Sequence, residues 1–429
     1  MDTEKLWDVA VIGGGAAGMM AAGTAAGHGA SVVLIEKNDS LGKKLLITGG
    51  GRCNVTNAEI DTRALLTHYK DAAKFLASPF SRFSVPETLD FFHMRGMETK
   101  VEAERRVFPM SDRAQSVWNV LVEYLEAGHV TILSNSPAVG FTHEKGRITG
   151  VKLSNPKIPP RSNLAGIVRA RSFILATGGL SHPETGSTGD GFEWLRAIGH
   201  TVHTSRPALV PVTARDTWIP RVSGVSLQHV KITVIQNGTK HESARGKILF
   251  THRGLSGPGI LNMSTLIGEL LPYDNVTIEL DLLPDVDDAA LNTRLQEIFK
   301  MHHMKKIANS LTDLVPTALA RILIEHASIS ADTPCNSVSR TERIALIKAC
   351  KHLTIQVDGL QDTGKAIITA GGVDLREVDF KNCSSRLYPN LYLIGDILDI
   401  NRPSGGYSLQ LCWTTGSVAG IDAANNRII

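Results

Sequence analysis

Cysteine is scarce in this chain of 429 residues: five, at Cys53, Cys335, Cys350, Cys383 and Cys412, with no C-x-x-C pair and no Cys/His spacing suited to zinc. A disulfide framework is excluded, and the odd number of thiols points to a reducing, cytoplasmic setting. An excess of one charge is missing too. Forty-five Lys plus Arg stand against 42 Asp plus Glu, for a formal net charge of +3 and no basic run or tail, so electrostatics names no polyanionic partner and a nucleic acid is not expected. A genuinely hydrophobic run is also absent. Val9 to Gly27 carries no charge but is almost all Gly and Ala, and the leader residues Asp2, Glu4, Lys5 and Asp8 are net acidic where a secretory signal needs positive charge. Neither a membrane span nor a signal peptide is expected. His302-His303 and the other histidines have no carboxylate or cysteine at ligand spacing, so no metal is expected, and neither a G-x-S-x-G elbow nor a P-loop occurs.

Glycine, by contrast, is abundant at 39 residues and has no collagen period. Something in the molecule needs bare backbone. Val9 to Ile12 is a short apolar run, Gly13-Gly14-Gly15 follows, Ala16 to His28 is rich in helix formers, and Ser31 to Ile35 is again apolar and β-branched. That order predicts a β-α-β unit. Within it Gly13, Gly15 and Gly18 satisfy G-x-G-x-x-G: the first permits the tight turn, the second the approach of a diphosphate, the third close helix–sheet packing. The helix start offers unpaired N–H groups to that diphosphate. Glu36 ends the second strand, where a carboxylate accepts hydrogen bonds from an adenosine ribose and repels a 2′-phosphate.

Length alone predicts two or three domains. Helical periodicity runs from Thr67 through Phe92 and again from Ala114 to Gly128; extended pieces follow at Val130 to Leu133, Ala138 to Thr142 and Arg147 to Leu153, then a Pro-rich loop at 155–163 and a buried strand from Val168 to Gly179. From about Ser205 to Asp281 alternating segments predict a small β unit, and from Pro284 to Lys351 the pattern is helical, with Leu291, Leu295, Ile298 and Phe299 on one face. Strands return at Leu353 to Val357 and Ala366 to Ile368, and the chain closes with a strand, Leu391 to Ile394, a glycine turn and a helix from Gly405 to Asn425. The expected organisation is a discontinuous nucleotide-binding domain, 1–204 with 369–429, split by an inserted module at 205–368. That module divides into a β-barrel, about 205–283 with 352–368, and a helical bundle, about 284–351.

The fingerprint alone does not separate NAD from FAD. Two distant strand ends do: Ala176-Thr177-Gly178-Gly179 and Gly395-Asp396 resemble accessory motifs of the glutathione-reductase-type FAD fold, in which the acid of the G-D pair binds the ribityl hydroxyls. A second glycine run, Gly49-Gly50-Gly51 followed by Arg52-Cys53-Asn54, suits a segment whose N–H groups face a ligand. Arg52 is expected to stabilise negative charge on phosphate or reduced flavin. Cys53 lacks the second cysteine that a disulfide reductase needs, so packing is the favoured reading. The Gly405-Gly406 turn opens the last helix and is expected to aim its amides at the flavin N1/O2 edge, favouring the anionic reduced form.

T-G-G-G-R-C-N-V-T-N at 48–57, R-V-F-P-M-S-D-R-A at 106–114, G-S-T-G-D-G at 186–191, L-V-P-V at 209–212, F-T-H-R-G-L-S-G-P at 250–258, T-A-G-G-V at 369–373 and G-G-Y-S-L-Q at 405–410 together resemble the YhiN/BaiN flavoprotein family, also labelled aminoacetone-oxidase-like. The resemblance implies an α/β fold: a glutathione-reductase-type, Rossmann-like FAD domain with an inserted β-barrel and small helical bundle. It also implies flavin-dependent oxidation-reduction. The sequence departs from the family where an acidic residue, Gly, Arg and Thr usually precede G-G-Y-N; here Asn401-Arg402-Pro403-Ser404 precedes Gly405-Gly406-Tyr407-Ser408. Residues expected to hold noncovalent FAD are Gly13, Gly15, Ala16, Ala17, Gly18, Glu36, Lys37, Lys44, Gly49, Gly50, Gly51, Arg52, Cys53, Asn54, Val139, Thr177, Gly178, Gly179, Gly395, Asp396, Gly405, Gly406, Tyr407, Ser408 and Leu409. His252, Arg253 and Tyr407 are the candidate catalytic groups. With one G-x-G-x-x-G in the chain, NAD(P)H is expected to act as a transient electron donor rather than to own a second Rossmann domain. The leading expectation is oxidation-reduction of a small organic substrate at the isoalloxazine, between the FAD domain and the insert. The alternatives are an amine oxidase using oxygen, or a non-catalytic flavoprotein binding RNA or protein through the helical insert.

Overall fold

A computed structural model describes residues 5–154, 166–361 and 368–426. The loop expected at 155–163, Asp2 and Glu4 of the leader, and Ala366 of the expected strand lie outside the described residues. The chain forms two compact units, one from Met1–Pro207 with Ala366–Ile429, the other from Ala208–Lys365.

In the first unit β1 (Leu6–Ile12), α1 (Ala16–Gly27) and β2 (Val32–Ile35) realise the β-α-β unit. β1 pairs in parallel with β2 on one side and with Ile167–Leu175 on the other; Thr131–Leu133 extends the sheet beyond β2, and Leu391–Leu393 pairs in parallel with the far end of Ile167–Leu175. The four residues of β2 are all buried, as a parallel strand covered on both faces requires. The uncharged Gly/Ala run turns out to be an interface. A Cβ added to Gly416 or Gly420 of the last helix, Tyr407–Asn425, would lie 2.7 Å from the Ala17 carbonyl or 2.6 Å from that of Ala21, so small residues on α1 face small residues one turn apart and the two helices touch backbone to backbone. Among the described residues no helix is long and apolar enough to cross a membrane.

Two details differ from expectation. A three-stranded sheet, Thr56–Asn57, Arg106–Pro109 and Thr99–Val101, links the two motifs at 48–57 and 106–114; its strands are too short to show alternation. The helical stretch from Thr67 to Phe92 is broken into pieces, ending with Ala73–Arg82 and Val85–His93, because Ser84 starts a new helix with a capping box to Glu87.

In the second unit six strands close a barrel in the order Val212–Ala214, Gly254–Ser256, Thr239–Phe250, Ser226–Gln236, Val276–Asp281 and Leu353–Leu360. The expected β unit also contains a helix, Pro258–Leu270. Its Pro-Gly opening reads as a turn in sequence, but proline is well suited to the first helical position. Helices Asp288–Met301, Thr317–His326 and Arg340–Lys351 are inserted between two neighbouring barrel strands. Buried Lys351 pins them there, reaching Asp281 at 2.7 Å and the Leu283 and Val286 carbonyls at 2.9 and 2.8 Å.

Candidate functional site

At the carboxyl ends of the parallel strands the first unit has a cleft of about 1240 Å3, open mouth included, somewhat larger than drug-sized ligands need. β1 delivers the glycine turn to its floor. Gly13 takes φ +102°, and a Cβ there would lie 2.5 Å from the Ala176 carbonyl. A Cβ on Gly18 would lie 1.9 Å from the Gly13 carbonyl, whereas one on Gly15 would meet nothing within 4 Å. Two of the three glycines are therefore demanded by the protein's own packing and the third leaves room for something else. No side chain caps α1 and no acidic residue occupies its first turn, so its leading N–H groups remain available to an anion.

Glu36, 7% exposed, accepts a hydrogen bond from Gly14 N–H at 2.7 Å through one carboxylate oxygen and from Asn38 N–H at 2.8 Å through the other. Each oxygen retains a lone pair for a ribose hydroxyl. Replacing Glu36 by alanine is expected to weaken dinucleotide binding tenfold or more by flavin titration, and also to lower apoprotein stability by roughly 1–3 kcal/mol, since two backbone donors lose their acceptor. An unchanged affinity would dismiss Glu36 as the ribose ligand.

Asp396 enters from the end of Leu391–Leu393. Burial alone would raise its pKa, but Arg402 and Lys44 outweigh burial and hold the carboxyl below its ordinary value. Lys44 Nζ lies 3.5 Å from Asp396 and also donates to Ser181. The other cleft lysines are matched, Lys37 to Asp190 and Lys43 to Asp39, both at 2.8 Å. Thr177 lines the cleft, and its buried hydroxyl has no partner among the described residues. The uncapped helix start, the open space at Gly15, the acceptors Glu36 and Asp396 and the orphaned Thr177 hydroxyl together fit a dinucleotide.

Of the expected residues, Gly13, Gly15, Ala16, Ala17, Glu36, Lys37, Lys44, Thr177, Gly178, Gly395, Asp396, Ser408 and Leu409 line this cleft, while Gly18, Gly49, Gly50, Gly51, Arg52, Cys53, Asn54, Val139, Gly179, Gly405, Gly406 and Tyr407 do not. The structure places several of the expected groups away from this cleft. Val139 is 52% exposed, and its neighbour Ala138 lines the cleft in its place, because successive strand residues face opposite ways. Arg52 pairs with Glu102 and Asp112 and lies over the Phe108 ring, so its charge is already matched. Gly406 abuts the Thr56 backbone rather than the cleft. His252 and Arg253 are exposed residues of the second unit. The Cys53 thiol, fully buried and pushed up to about 12 by burial, agrees with packing.

Tyr407 is buried against His68, ring centroids 4.5 Å apart, and its carbonyl accepts from Tyr69 at 2.8 Å. Burial pushes the Tyr407 hydroxyl up to about 12 and lowers His68, leaving both neutral near pH 7. Sequence reasoning missed Thr185 to Thr188, Asp190, Trp194 and Cys412, all of which line the cleft. G-S-T-G-D-G at 186–191 was the available signal, since a glycine-rich hydroxyl segment after a buried strand suits a binding loop.

The model of the HI0933-like protein Rossmann domain matches residues 7–422. The ribosomal RNA dihydrouridine synthase of Escherichia coli K12 is 32% identical over 413 residues, 95% of this chain and 96% of that one. The 3-dehydro-bile acid delta(4,6)-reductase of Clostridium scindens is 30% identical over 423 residues, 97% and 98% of the two chains. Among solved structures, the 3-ketosteroid delta1-dehydrogenase of Sterolibacterium denitrificans superposes with a TM-score of 0.54 at 13% identity, covering 98% of this chain and 99% of that one, a likeness of fold. A Haemophilus influenzae relative, 28% identical, is also named for ribosomal RNA. The expectation that nucleic acid is no partner therefore finds no support among the relatives: a balanced total charge argues against nonspecific polyanion binding and is silent about reading a single base.

Proposed function

The chain belongs to the HI0933-like Rossmann family, a family of FAD-dependent oxidoreductases, and from that premise we propose that it reduces a C=C bond conjugated to a carbonyl, with electrons from NAD(P)H. The observation that carries the cofactor half of this reading is the cleft that gathers the open Gly15, the uncapped start of α1, Glu36 and Asp396 into one wall. In it the first-turn amides of α1 face the diphosphate, Glu36 accepts from the adenosine ribose, and Asp396 accepts from the ribityl hydroxyls. Bound FAD supplies a reversible two-electron carrier. The cofactor is held noncovalently: Cys412 is the cysteine of the cleft wall, and burial pushes its thiol up to about 12, so it stays protonated and unreactive at neutral pH. The five unpaired cysteines suit a cytoplasmic enzyme.

The substrate half rests on the relatives. Making dihydrouridine saturates the uracil ring bond beside a carbonyl, and a delta(4,6)-reductase of a 3-dehydro bile acid saturates bonds conjugated to a ketone. The shared chemistry is delivery of a hydride, a hydrogen with two electrons, to one carbon of an electron-poor alkene and a proton to the other.

The test is anaerobic reduction of the holoprotein with NADH and NADPH, followed by addition of ribosomal RNA lacking dihydrouridine, a 3-oxo-4,6-diene steroid, or air. One alkene should reoxidise the flavin and gain two hydrogens by mass spectrometry. Reoxidation by air alone would replace the reductase reading with that of an oxidase, and a purified protein that takes up no FAD would remove the premise about the cofactor.

A further inference from the structure

Arg402 stands where the sequence leaves its family's pattern, and it is among the most deeply buried large side chains, 2% exposed. Pro403 after it restricts its backbone to extended conformations. Each face of its guanidinium fork is committed. Nη1 donates to the Ile400 carbonyl at 2.7 Å, Nε to Ser408 Oγ at 3.0 Å, and Nη2 to Asp396. Asp396 and Ser408 both line the cleft, while Arg402 lies behind them. One side chain thus ties the acid that ends a central strand to the first turn of the last helix.

The charge count at this point is uneven. Asp396 is shared by Arg402 and Lys44, so two cations meet one carboxylate in the wall of the cleft. Burying an arginine is expensive unless its charge is matched and its donors are satisfied. Here the donors are satisfied, and at Asp396 itself two cations outnumber one carboxylate, with Lys44 also acting on the carboxylate of Glu184 and with Glu36 lining the same cleft.

Resting on the FAD reading above, we infer that Arg402 is a positioning residue that fixes Asp396 and Ser408 against the cofactor and supplies the surplus positive charge that makes the cleft prefer reduced over oxidised FAD. The reduced anion carries one negative charge more than the oxidised form, so the surplus charge discriminates between the two redox states as well as aiding binding of both.

Opposite variants separate charge from scaffolding. Arg402→Met removes the cation and leaves Asp396 with Lys44; Asp396→Asn removes the anion and enlarges the surplus. Flavin titration and dye-coupled measurement of the midpoint potential are read on both, with Arg402→Lys as the conservative variant. Arg402→Met is expected to weaken oxidised FAD at least tenfold and reduced FAD about a hundredfold. That extra factor of ten lowers the two-electron midpoint by about 30 mV. Asp396→Asn is expected to raise the midpoint while also weakening FAD, and Arg402→Lys to recover the parental midpoint with weaker binding, since an ammonium cannot span three acceptors as the fork does. If Arg402→Met does not fold, the sign of the Asp396→Asn shift decides. FAD bound with the parental potential in Arg402→Met or in Asp396→Asn, or a fall in potential for Asp396→Asn, would overturn the inference while leaving the cofactor reading intact. A parent protein that binds no FAD would overturn both.

Discussion

Alanine at Gly15 is expected to leave the apoprotein as stable as the parent, within about 0.5 kcal/mol, and to weaken FAD binding at least tenfold, about 1.4 kcal/mol. Alanine at Gly18, one helical turn away, is expected to do the reverse damage first. The Gly15 backbone, at φ −79°, suits any residue, and a Cβ there meets only the cleft. The Gly18 Cβ would stand 1.9 Å from the Gly13 carbonyl, and Gly13 cannot retreat, because it is itself pressed against Ala176 at φ +102°. Forcing atoms into such a contact costs about 1–3 kcal/mol and occasionally more. Urea denaturation of the two apoproteins, with flavin titration of whatever folds, separates the cases. Equal loss of stability would mean that the turn is uniformly packed and that the space above Gly15 has no functional meaning.

Gly406 is the second large effect. From sequence its role is to keep the amides of the last helix clear for the flavin; in the structure the pressure comes from the other side. Gly406 has φ +102°, and an added Cβ would fall 2.3 Å from the Thr56 carbonyl carbon. A left-handed backbone in a residue other than glycine costs about 1–3 kcal/mol before any clash is counted. Gly406→Ala is therefore expected to lower the melting temperature of the apoprotein, and Gly406→Val to abolish soluble expression. Loss of FAD follows in both, because Ser408 and Leu409 reach the cleft from the same turn. A Gly406→Val protein melting like the parent, with an altered flavin potential, would restore the sequence-based reading.

These two glycines show what was legible in the amino-acid order. A turn that obeys a local rule can be read locally: strand, Gly13, Gly15, Gly18, helix and Glu36 all lie within one β-α-β unit, and each is found in the place that the unit assigns it. The G-D pair at Gly395-Asp396 was legible because a strand end exposes its last residues to the cleft. Where meaning depends on a partner far along the chain, the order of residues is silent. Gly406 needs Thr56, Arg52 needs Glu102 and Asp112, and Arg402 is explained only by Asp396 and Ser408 together. The helix at Pro258–Leu270 was missed for another reason: its opening Pro-Gly is as good a turn as it is a helix start, and only the barrel strand against which Gly259 packs decides between them.

The discontinuity of the first unit also sets an order of events during synthesis. Domains tend to fold as units while the chain emerges, at about 5–20 residues per second, and here the barrel and its helices leave the ribosome while the parallel sheet still lacks Leu391–Leu393 and α1 still lacks its partner helix. The glycine turn, Glu36 and Thr177 are made early; Asp396, Ser408 and Leu409 are made near the end. Until those last segments arrive, the Gly/Ala face of α1 is uncovered and the cleft has one wall missing. A cleft completed this late is expected to retain a nucleotide only after the final helix has been made.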